Sequence, residues 1–254
     1  MILESFHLDG KNALVTGSSR GLGAAIALAL AQAGANVGTH GRSMGSEATC
    51  ERIRRLGKKS FYLSGDVATP EVCSALVRTT LEEFGSIDIL VNNAGVIRRA
   101  PAADFLQADW DELIAVNLSA VFRLSQLAGQ HMFGRNSKGK ILNIASLLSF
   151  QGGILVPAYA AAKGGVAQLT KALANEWAAK GINVNAIAPG YMATDNTEAL
   201  RNDPQRSRQI LERVPAGRWG EAGDLAGAAV FLCSSASDYV HGHVLLVDGG
   251  WMAR

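Results

Sequence analysis

Short runs of apolar residues alternate along the chain with longer amphipathic or alanine-rich segments, and this alternation predicts strands separated by helices. The short runs are apolar at consecutive positions, which is typical of strands buried on both faces of a parallel sheet. The predicted strands are Asn12–Thr16, Asn36–Thr39, Ser60–Leu63, Ile87–Asn92, Lys140–Ser146, Asn183–Ile187 and Val244–Val247. The predicted helices are Leu22–Ala33, Ser46–Leu56, Glu71–Phe84, Trp110–Phe133, Ala158–Ala179 and Asp224–Ser234. The pattern predicts an α/β fold in which helices cover both faces of a seven-stranded parallel sheet.

The organisation of the chain predicts one domain. No linker, repeat or low-complexity tract interrupts the alternation, so we predict a single doubly wound, Rossmann-like domain over residues 1–254. Residues 191–221 break the pattern, because this segment is polar, rich in arginine, and contains Pro204 and Pro215. A long excursion at the carboxyl end of a strand is more often a binding segment than a passive surface loop, so we predict a substrate lid there.

Composition and charge argue against several classes of protein. The 254 residues are 48% apolar with a formal net charge of +2, and the basic residues are scattered, so no nucleic-acid partner is expected. No apolar run approaches the ~20 residues of a membrane span, so no membrane role is expected, and the first residues lack the features of a secretory signal. Cys50, Cys73 and Cys233 lack the spacing of metal ligands, so we expect no metal and a reducing, cytoplasmic location.

A glycine-rich turn follows the first strand and opens the first helix, with the sequence Gly17-Ser-Ser-Arg-Gly21-Leu-Gly23. Glycines at such a turn let backbone N–H groups approach a pyrophosphate at the positive end of the helix. The spacing differs from the commonest dinucleotide fingerprint, and a purely structural turn is the alternative. Its position directly after the first strand favours a cofactor site. The residues expected to contact the cofactor here are Gly17, Ser19, Arg20, Gly21, Leu22 and Gly23.

The end of the second strand should select the form of the cofactor. A carboxylate there would bind the ribose hydroxyls of NAD and repel the 2′-phosphate of NADP. This chain has His40-Gly-Arg42 instead, and Arg42 can pair with a 2′-phosphate while Arg20 lies close enough to assist. A solvated surface role for Arg42 is the alternative. We therefore predict NADP in preference to NAD.

Small and polar residues also follow the third and fourth strands. Asp66 and Val67 follow the third strand, where a carboxylate can accept a hydrogen bond from the adenine amino group, although Asp66 could instead cap the next helix. Asn93, Ala94 and Gly95 follow the fourth strand and offer a surface against which a nucleotide can lie. All of these residues fall at the carboxyl ends of strands, where open α/β sheets bind ligands.

Candidate catalytic residues follow the fifth strand. Ser146 is followed by Tyr159 and then, four residues later, by Lys163 on the same face of a predicted helix. An ammonium beside a phenol is expected to lower the pKa of Tyr159 toward working pH. Such a phenol can donate a proton to a ketone or accept one from an alcohol, and Ser146 can bond the same oxygen. An ordinary amphipathic helix is the alternative, which the combination with Ser146 and the glycine turn disfavours.

These motifs together resemble the short-chain dehydrogenase/reductase family over essentially the whole chain. The residues that carry the resemblance are Thr16 with the glycine turn, Asn92-Asn93-Ala94-Gly95, Asn117, Ser146, Tyr159-x-x-x-Lys163 and Pro189-Gly190. The resemblance implies a nicotinamide-dependent oxidoreductase. In it, Asn117, Ser146, Tyr159 and Lys163 would form a proton relay, and Asn117 would bend its helix to seat a water.

The same resemblance implies further cofactor contacts and an assembly. Tyr159 and Lys163 would contact the nicotinamide half of the cofactor, with Lys163 holding the ribose. The segment after the sixth strand would bind the nicotinamide carboxamide through Pro189, Gly190 and Met192, with Thr194 near the phosphates. Most members of the family are tetramers, so a homotetramer is expected.

Four segments resemble more narrowly the family members that act on sugar acids such as 2-dehydro-3-deoxy-D-gluconate and 2-deoxy-D-gluconate; they are residues 93–99, 146–153, 185–194 and 215–220. That group implies NAD, whereas Arg42 favours NADP. A sugar acid brings a carboxylate and several hydroxyls, so its site should offer a cation and polar donors. The predicted substrate residues are Arg98, Ser146, Gln151 and Arg218, and Arg99 and the lid arginines Arg201, Arg206, Arg208 and Arg213 are weaker candidates.

Three other functions stay open on the sequence. Gluconate 5-dehydrogenase and 3-oxoacyl-carrier-protein reductase are the enzyme alternatives, and a non-catalytic nucleotide-sensing protein is the alternative of another class. The presence of both Tyr159 and Lys163 favours an enzyme. Gln151 and the arginine-rich lid favour a polar hexonate over an acyl chain.

Overall fold

The computed structural model describes residues 1–135 and 138–254, and it confirms the predicted seven-stranded parallel sheet. The strands are β1 (Asn12–Val15), β2 (Asn36–Gly41), β3 (Ser60–Ser64), β4 (Ile89–Asn92), β5 (Gly139–Ile144), β6 (Ile182–Pro189) and β7 (Val244–Val247). Their order across the sheet is β3-β2-β1-β4-β5-β6-β7. The order reverses between β1 and β4, and a ligand cleft is expected outside the carboxyl ends of the strands at that point.

Helices lie at all six predicted places, and the residues described contain two further helices that the sequence did not predict. The helices are α1 (Gly21–Gln32), α2 (Ala48–Arg55), α3 (Pro70–Phe84), α4 (Gln107–Ile114), α5 (Ala120–Gly134), α6 (Pro157–Trp177), α7 (Glu198–Asn202), α8 (Pro204–Arg213) and α9 (Ala226–Cys233). The two unpredicted helices, α7 and α8, lie in the segment 191–221. They are short and polar, and α8 begins at Pro204, so the sequence shows no clear helical periodicity there. The long helix predicted over Trp110–Phe133 is α4 and α5 joined by a π-helical turn at Ala115–Ser119.

The apolar core forms two layers, one on each face of the sheet. Along β1, Ala13 and Val15 face one layer while Leu14 faces the other, because successive strand residues point to opposite faces. The first layer contains buried residues of α1 and α9, such as Leu30 and Leu232. The second layer contains buried residues of α3, α5 and α6; they include Leu76, Leu124 and Trp177. The strands are therefore apolar on both faces, as the consecutive apolar runs predict.

Residues 191–221 follow the carboxyl end of β6 and form a closed segment. The two ends of this segment are joined, since the Gly220 N–H donates to the Tyr191 carbonyl (2.9 Å) and the Ala193 N–H donates to the Gly220 carbonyl (2.7 Å). Its apolar residues pack in a small cluster with Trp251 at the chain's C-terminal turn; the cluster contains Leu147, Ile210, Val214 and Trp251. The tertiary contacts of Trp251 therefore hold α8 in place. No helix in the described ranges is both long and apolar enough to cross a membrane.

Candidate active site

The turn between β1 and α1 is shaped by glycines. Gly17 (φ +62°) and Gly21 (φ +58°) have left-handed backbone conformations that other residues rarely adopt. A Cβ at Gly17 would lie 2.8 Å from the Ala94 Cα, and one at Gly23 would overlap the Gly17 carbonyl. Helix α1 then begins without a side-chain cap, because its N-cap residue Arg20 makes no cap hydrogen bond. The first-turn N–H groups are therefore open to an anion, and this cradle fits the pyrophosphate of a dinucleotide.

The glycine turn is bonded directly to the turn that follows β4. The Asn93 side-chain amide donates to the carbonyl oxygens of Thr16 and Gly17, both at 2.9 Å. The Thr16 hydroxyl oxygen accepts from the backbone N–H groups of Asn93 and Ala94, both at 3.1 Å. Two segments separated by more than seventy residues thus form one continuous floor.

One cleft of about 440 Å³ runs over this floor along the carboxyl edge of the sheet. Fifteen of the predicted cofactor residues line it; they are Gly17, Ser19, Arg20, Gly21, Leu22, Gly23, Arg42, Asp66, Val67, Asn93, Ala94, Gly95, Tyr159, Lys163 and Thr194. Gly190 and Met192 line a neighbouring cavity of about 250 Å³, and Pro189 is the last residue of β6 before them. We call the part of the cleft at the carboxyl ends of β1, β2, β3 and β4 the nucleotide half; it includes the glycine turn, Arg42, Asp66 and Asn93.

The two arginines predicted for a 2′-phosphate both face the cleft, and each has a carboxylate partner. Arg42 lies 3.4 Å from Asp66 and 3.7 Å from Glu112, measured between guanidinium nitrogen and carboxylate oxygen. Arg20 lies 3.0 Å from Asp195 in the lid. These pairs are largely exposed, and exposed ion pairs contribute little stability, so a phosphate dianion can replace the carboxylates at small cost.

Asp66 does not cap the next helix. Its Oδ1 accepts from the Ala68 N–H at 2.9 Å, which closes a local turn, while α3 has Thr69 as its N-cap residue. Its other oxygen, Oδ2, faces Arg42. Asp66 therefore remains a cleft residue, as the nucleotide interpretation predicts.

The candidate catalytic residues come together where β5 ends and α6 begins. Tyr159 and Lys163 share a helix face, with the Lys163 Nζ 5.7 Å from the centre of the Tyr159 ring. The Lys163 ammonium is buried and donates to the Ile144 carbonyl at 2.6 Å. The Ser146 hydroxyl oxygen accepts from the Leu148 N–H at 3.2 Å, and the hydroxyl is within hydrogen-bonding reach of the Tyr159 phenol.

The lowered pKa that the sequence predicts for Tyr159 is wrong for this structure. Burial is the largest influence and raises the pKa of Tyr159 above its usual value, while hydrogen bonding with Ser146 and the positive charge of Arg99 act to lower it. Burial also lowers the pKa of Lys163 to about 8, and its ammonium is held by the Ile144 carbonyl. The influences that favour phenolate thus come from Ser146 and Arg99. In the sequence analysis, Arg99 is only a weaker candidate for substrate binding.

Asn117 lies in the π-helical turn at Ala115–Ser119 that interrupts the regular helix between α4 and α5. Its side chain is fully buried, and its Oδ1 accepts from the Val96 N–H (2.9 Å) while its Nδ2 donates to the Val96 carbonyl (2.8 Å). A Cβ at Gly95 would lie 2.9 Å from the same Oδ1. Asn117 therefore fastens the segment after β4 to the helix, and the seating of a water by this residue stays a prediction.

A buried polar network below the catalytic residues was not identified from the sequence. The Asn92 side-chain amide donates to the Ser125 hydroxyl (3.0 Å) and to Asn143 Oδ1 (2.9 Å), and the Asn143 amide donates to the Thr170 hydroxyl (3.0 Å). Asn92 and Asn143 are direct partners in the β4–β5 register. The network ties α5 and α6 to the sheet, and the signal was two asparagines inside strands that are otherwise apolar.

Two of the predicted substrate residues are already paired with carboxylates. Arg98 lies 2.8 Å from Glu112 and 3.7 Å from Asp109. Arg218 donates two hydrogen bonds to Asp224, at 2.7 and 3.0 Å. The shortest of these contacts, 2.8 Å for Arg98 and 2.7 Å for Arg218, are closer than those of Arg20 and Arg42 with their carboxylates, which are 3.0 Å or longer, so Arg98 and Arg218 are less free to bind the carboxylate of a substrate.

Arg99 and Gln151 are better placed. The Arg99 charge acts on the Tyr159 phenol, and the Arg99 guanidinium donates to the Asn196 carbonyl of the lid at 3.1 Å. The Gln151 Oε1 accepts from the Trp251 indole at 3.3 Å and from Arg213 at 3.5 Å, so its NH₂ group is left to donate. We call the region of Ser146, Gln151, Arg99 and the lid the substrate half of the cleft.

Comparison with known proteins extends over nearly the whole chain. A family model described as enoyl-(acyl carrier protein) reductase matches residues 17–252. The chain is 53% identical to 2-dehydro-3-deoxy-D-gluconate 5-dehydrogenase of Escherichia coli (strain K12), over 254 residues and 100% of both chains. A crystal structure described as a candidate 2-deoxy-D-gluconate 3-dehydrogenase from Agrobacterium tumefaciens, with bound NADP, is 55% identical with a TM-score of 0.92, over 98% of this chain and 99% of that one. A gluconate 5-dehydrogenase from Burkholderia cenocepacia J2315, in complex with NADP and tartrate, is 43% identical with a TM-score of 0.95, over 100% of both chains.

Proposed function

The chain belongs to the short-chain dehydrogenase/reductase family, and from that premise we propose that it interconverts a ketone and a secondary alcohol on a sugar acid. The family membership confirms the resemblance carried by the motifs, and it makes the chain an NAD(P)-dependent oxidoreductase that acts on CH–OH groups. The specific activity that we propose is 2-dehydro-3-deoxy-D-gluconate 5-dehydrogenase, also described as 2-deoxy-D-gluconate 3-dehydrogenase. The main support for this proposal is that the chain is 53% identical, over its full length, to the 2-dehydro-3-deoxy-D-gluconate 5-dehydrogenase of Escherichia coli.

We propose NADP as the preferred cofactor. Strand β2 ends in Gly41, and the next residue is Arg42 where an NAD site would carry a carboxylate. Arg42 and Arg20 bring two guanidinium groups to the nucleotide half. The relative from Agrobacterium tumefaciens contains bound NADP, which supports the same choice here.

The proposed mechanism divides the work among four side chains. NADPH, when bound, supplies the hydride, and the reverse reaction returns it. The Tyr159 hydroxyl donates a proton to the ketone oxygen, and the Ser146 hydroxyl donates a hydrogen bond to the same oxygen as negative charge develops on it. Lys163 would hold the nicotinamide ribose, and Lys163 and Asn117 would connect Tyr159 to a proton relay.

The substrate carboxylate is proposed to bind Arg99 rather than Arg98 or Arg218. Arg99 lies close enough to Tyr159 to affect the pKa of the phenol, whereas the other two have carboxylate partners. The Gln151 NH₂ group supplies a hydrogen bond to a substrate hydroxyl. Since Arg99 also bonds the lid at Asn196, we propose that residues 191–221 close over the substrate.

The assembly and location are proposals as well. We propose a homotetramer, because Phe122 on α5 is 44% exposed and Leu246 on the edge strand β7 is 39% exposed. Large apolar side chains on an edge strand and a helix face are typical of surfaces that a second copy covers. Cys50, Cys73 and Cys233 are buried free thiols, which supports a cytoplasmic location. Light scattering on the purified chain tests the tetramer.

A steady-state panel tests the proposed activity. It crosses NADH and NADPH with 2,5-diketo-3-deoxygluconate, 5-ketogluconate and an acetoacetyl thioester. We expect the highest kcat/KM for NADPH with the diketo acid. A higher kcat/KM for 5-ketogluconate would favour the second candidate, gluconate 5-dehydrogenase, which the relative from Burkholderia cenocepacia supports. Turnover of the thioester alone would refute a sugar-acid substrate, and cofactor binding without any turnover would indicate a nucleotide sensor.

A further inference from the structure

His40, the fifth residue of β2, lies buried beneath the glycine turn with 2% of its surface exposed. Its ring Nδ1 faces the Gly17 N–H at 3.1 Å, and its ring Nε2 faces the Gly65 carbonyl oxygen at 3.0 Å. A backbone N–H can only donate and a carbonyl can only accept, so Nδ1 must accept and Nε2 must carry the proton. The two contacts therefore specify a neutral imidazole in a single tautomer.

The backbone of His40 holds the next residue of the same turn. The His40 N–H donates to the Ser18 hydroxyl at 3.0 Å, and the Ser18 N–H donates to the His40 carbonyl at 2.8 Å. The Ser18 hydroxyl in turn donates to the Val15 carbonyl at the end of β1, at 2.7 Å. His40 thus joins three segments that line the nucleotide half, namely the glycine turn, the end of β2 and the loop after β3.

We infer that His40 is a positioning residue for the cofactor, and that its neutral ring holds the glycine turn in the geometry that receives the pyrophosphate. The Gly17 N–H is taken by the ring, so the turn presents the N–H groups of the residues after it to the anion. Gly17 has no freedom to relax elsewhere, because Asn93 bonds its carbonyl and the Ala94 backbone lies against it. Loss of the ring contact therefore alters the turn that the cofactor binds.

Cofactor binding should depend on pH through the His40 ring. Protonation at Nδ1 would place an N–H against the Gly17 N–H, and both cannot donate to each other. The charged group that acts on His40 is Asp66 in the loop after β3, and Arg42 and Arg20 line the same cleft. Burial outweighs the opposing influence of Asp66 and lowers the pKa of His40, which keeps the ring neutral at neutral pH. Since the binding geometry needs the neutral ring, cofactor affinity should fall as pH drops through this lowered pKa.

Two variants separate positioning from general loss of structure. His40→Gln keeps an acceptor and a donor with about the spacing of the two ring nitrogens, and it does not titrate. His40→Leu keeps an apolar side chain of similar bulk and makes neither hydrogen bond. Thermal unfolding of each variant without cofactor serves as the control for folding.

Calorimetric titration with NADP⁺ from pH 8 to pH 5 tests the inference, since the 2′-phosphate titrates equally in all three proteins and cancels in the ratio of Kd values. We expect the ratio of wild-type Kd to His40→Gln Kd to rise about tenfold toward pH 5, because only in the wild type is the hydrogen bond from the Gly17 N–H replaced by two opposed N–H groups. His40→Leu should bind about tenfold more weakly at every pH, with an unchanged kcat at saturating cofactor. A ratio that stays constant, or wild-type binding that tightens in acid relative to His40→Gln, would overturn the inference. If His40→Leu does not fold, the ratio for His40→Gln decides the question alone.

Discussion

The nucleotide half and the substrate half of the cleft are built in different ways. In the nucleotide half, backbone atoms of Gly17 and Ala94 lie in contact, and buried hydrogen bonds from Asn93 hold them there. In the substrate half, exposed or partly exposed side chains reach across the cleft to distant segments. Arg99 bonds the carbonyl of Asn196, 97 residues away, and Gln151 bonds the Trp251 indole, 100 residues away.

Because of this difference, substitutions in the two halves should have different effects on cofactor and substrate binding. A cradle made of backbone contacts has little room for a side chain, so substitution there should remove cofactor binding altogether. A site made of side chains on loops can lose one contact and keep the others, so substitution there should change the affinity for one substrate and leave the cofactor untouched. The predictions below test this division.

The largest effect on cofactor binding is expected at Gly23. A Cβ at this position would overlap the Gly17 carbonyl, so Gly23→Ala should weaken NADPH binding by about 100-fold or more, as the turn must open to admit the methyl group. Fluorescence titration with NADPH measures the Kd. The matched control is Gly227→Ala in α9, where an added Cβ meets nothing within 4 Å and NADPH binding should not change. Normal NADPH affinity in Gly23→Ala would contradict the rigid backbone cradle.

A smaller effect, confined to the substrate half, is expected at Arg99. Arg99→Gln should raise the KM for the keto acid about 20-fold, since a charge-assisted hydrogen bond to the carboxylate is lost. The KM for NADPH should stay at its wild-type value. Arg98→Gln is the matched comparison, and it should leave the KM for the keto acid unchanged because Arg98 pairs with Glu112. The reverse pattern in the two variants would show that Arg98 binds the carboxylate.

The smallest change in rate is expected when the pH is raised. Burial lowers the pKa of Lys163 to about 8, so the folded protein loses this ammonium as pH rises through that value. The kcat/KM for ketone reduction should therefore fall about tenfold between pH 7 and pH 9. Lys163→Arg keeps its charge throughout this range, and whatever its rate at pH 7, the decline should disappear. A decline that persists in Lys163→Arg belongs to another group.

The parts of the fold and site that the sequence predicts are local. Most strands contain a short run of apolar residues, and the glycine turn is a motif of seven neighbouring residues, so neither needs knowledge of the rest of the chain. Tyr159 and Lys163 share a helix face because of their spacing alone. The cleft residues at the ends of β1 to β4 follow from the topology of the sheet.

The parts that the sequence did not predict depend on contacts between distant segments. Arg98 and Arg99 are neighbours in the chain, and nothing in their spacing shows that Arg98 pairs with Glu112 while the charge of Arg99 acts to lower the pKa of Tyr159. Burial, which raises the pKa of Tyr159, is likewise a property of the folded chain. Helices α7 and α8 depend on their packing against Trp251, since their own sequences are short and polar.

The central claim is that the backbone cradle of the nucleotide half provides the affinity for the cofactor, while Tyr159 supplies the proton. Tyr159→Phe removes the hydroxyl and keeps the ring, so Kd for NADPH and kcat for ketone reduction, measured on the same preparation, test it most directly. We expect an NADPH Kd within about twofold of the wild type and a kcat about 10³-fold lower, as a general acid has been lost. A kcat near the wild-type value, with NADPH bound normally, would contradict the claim.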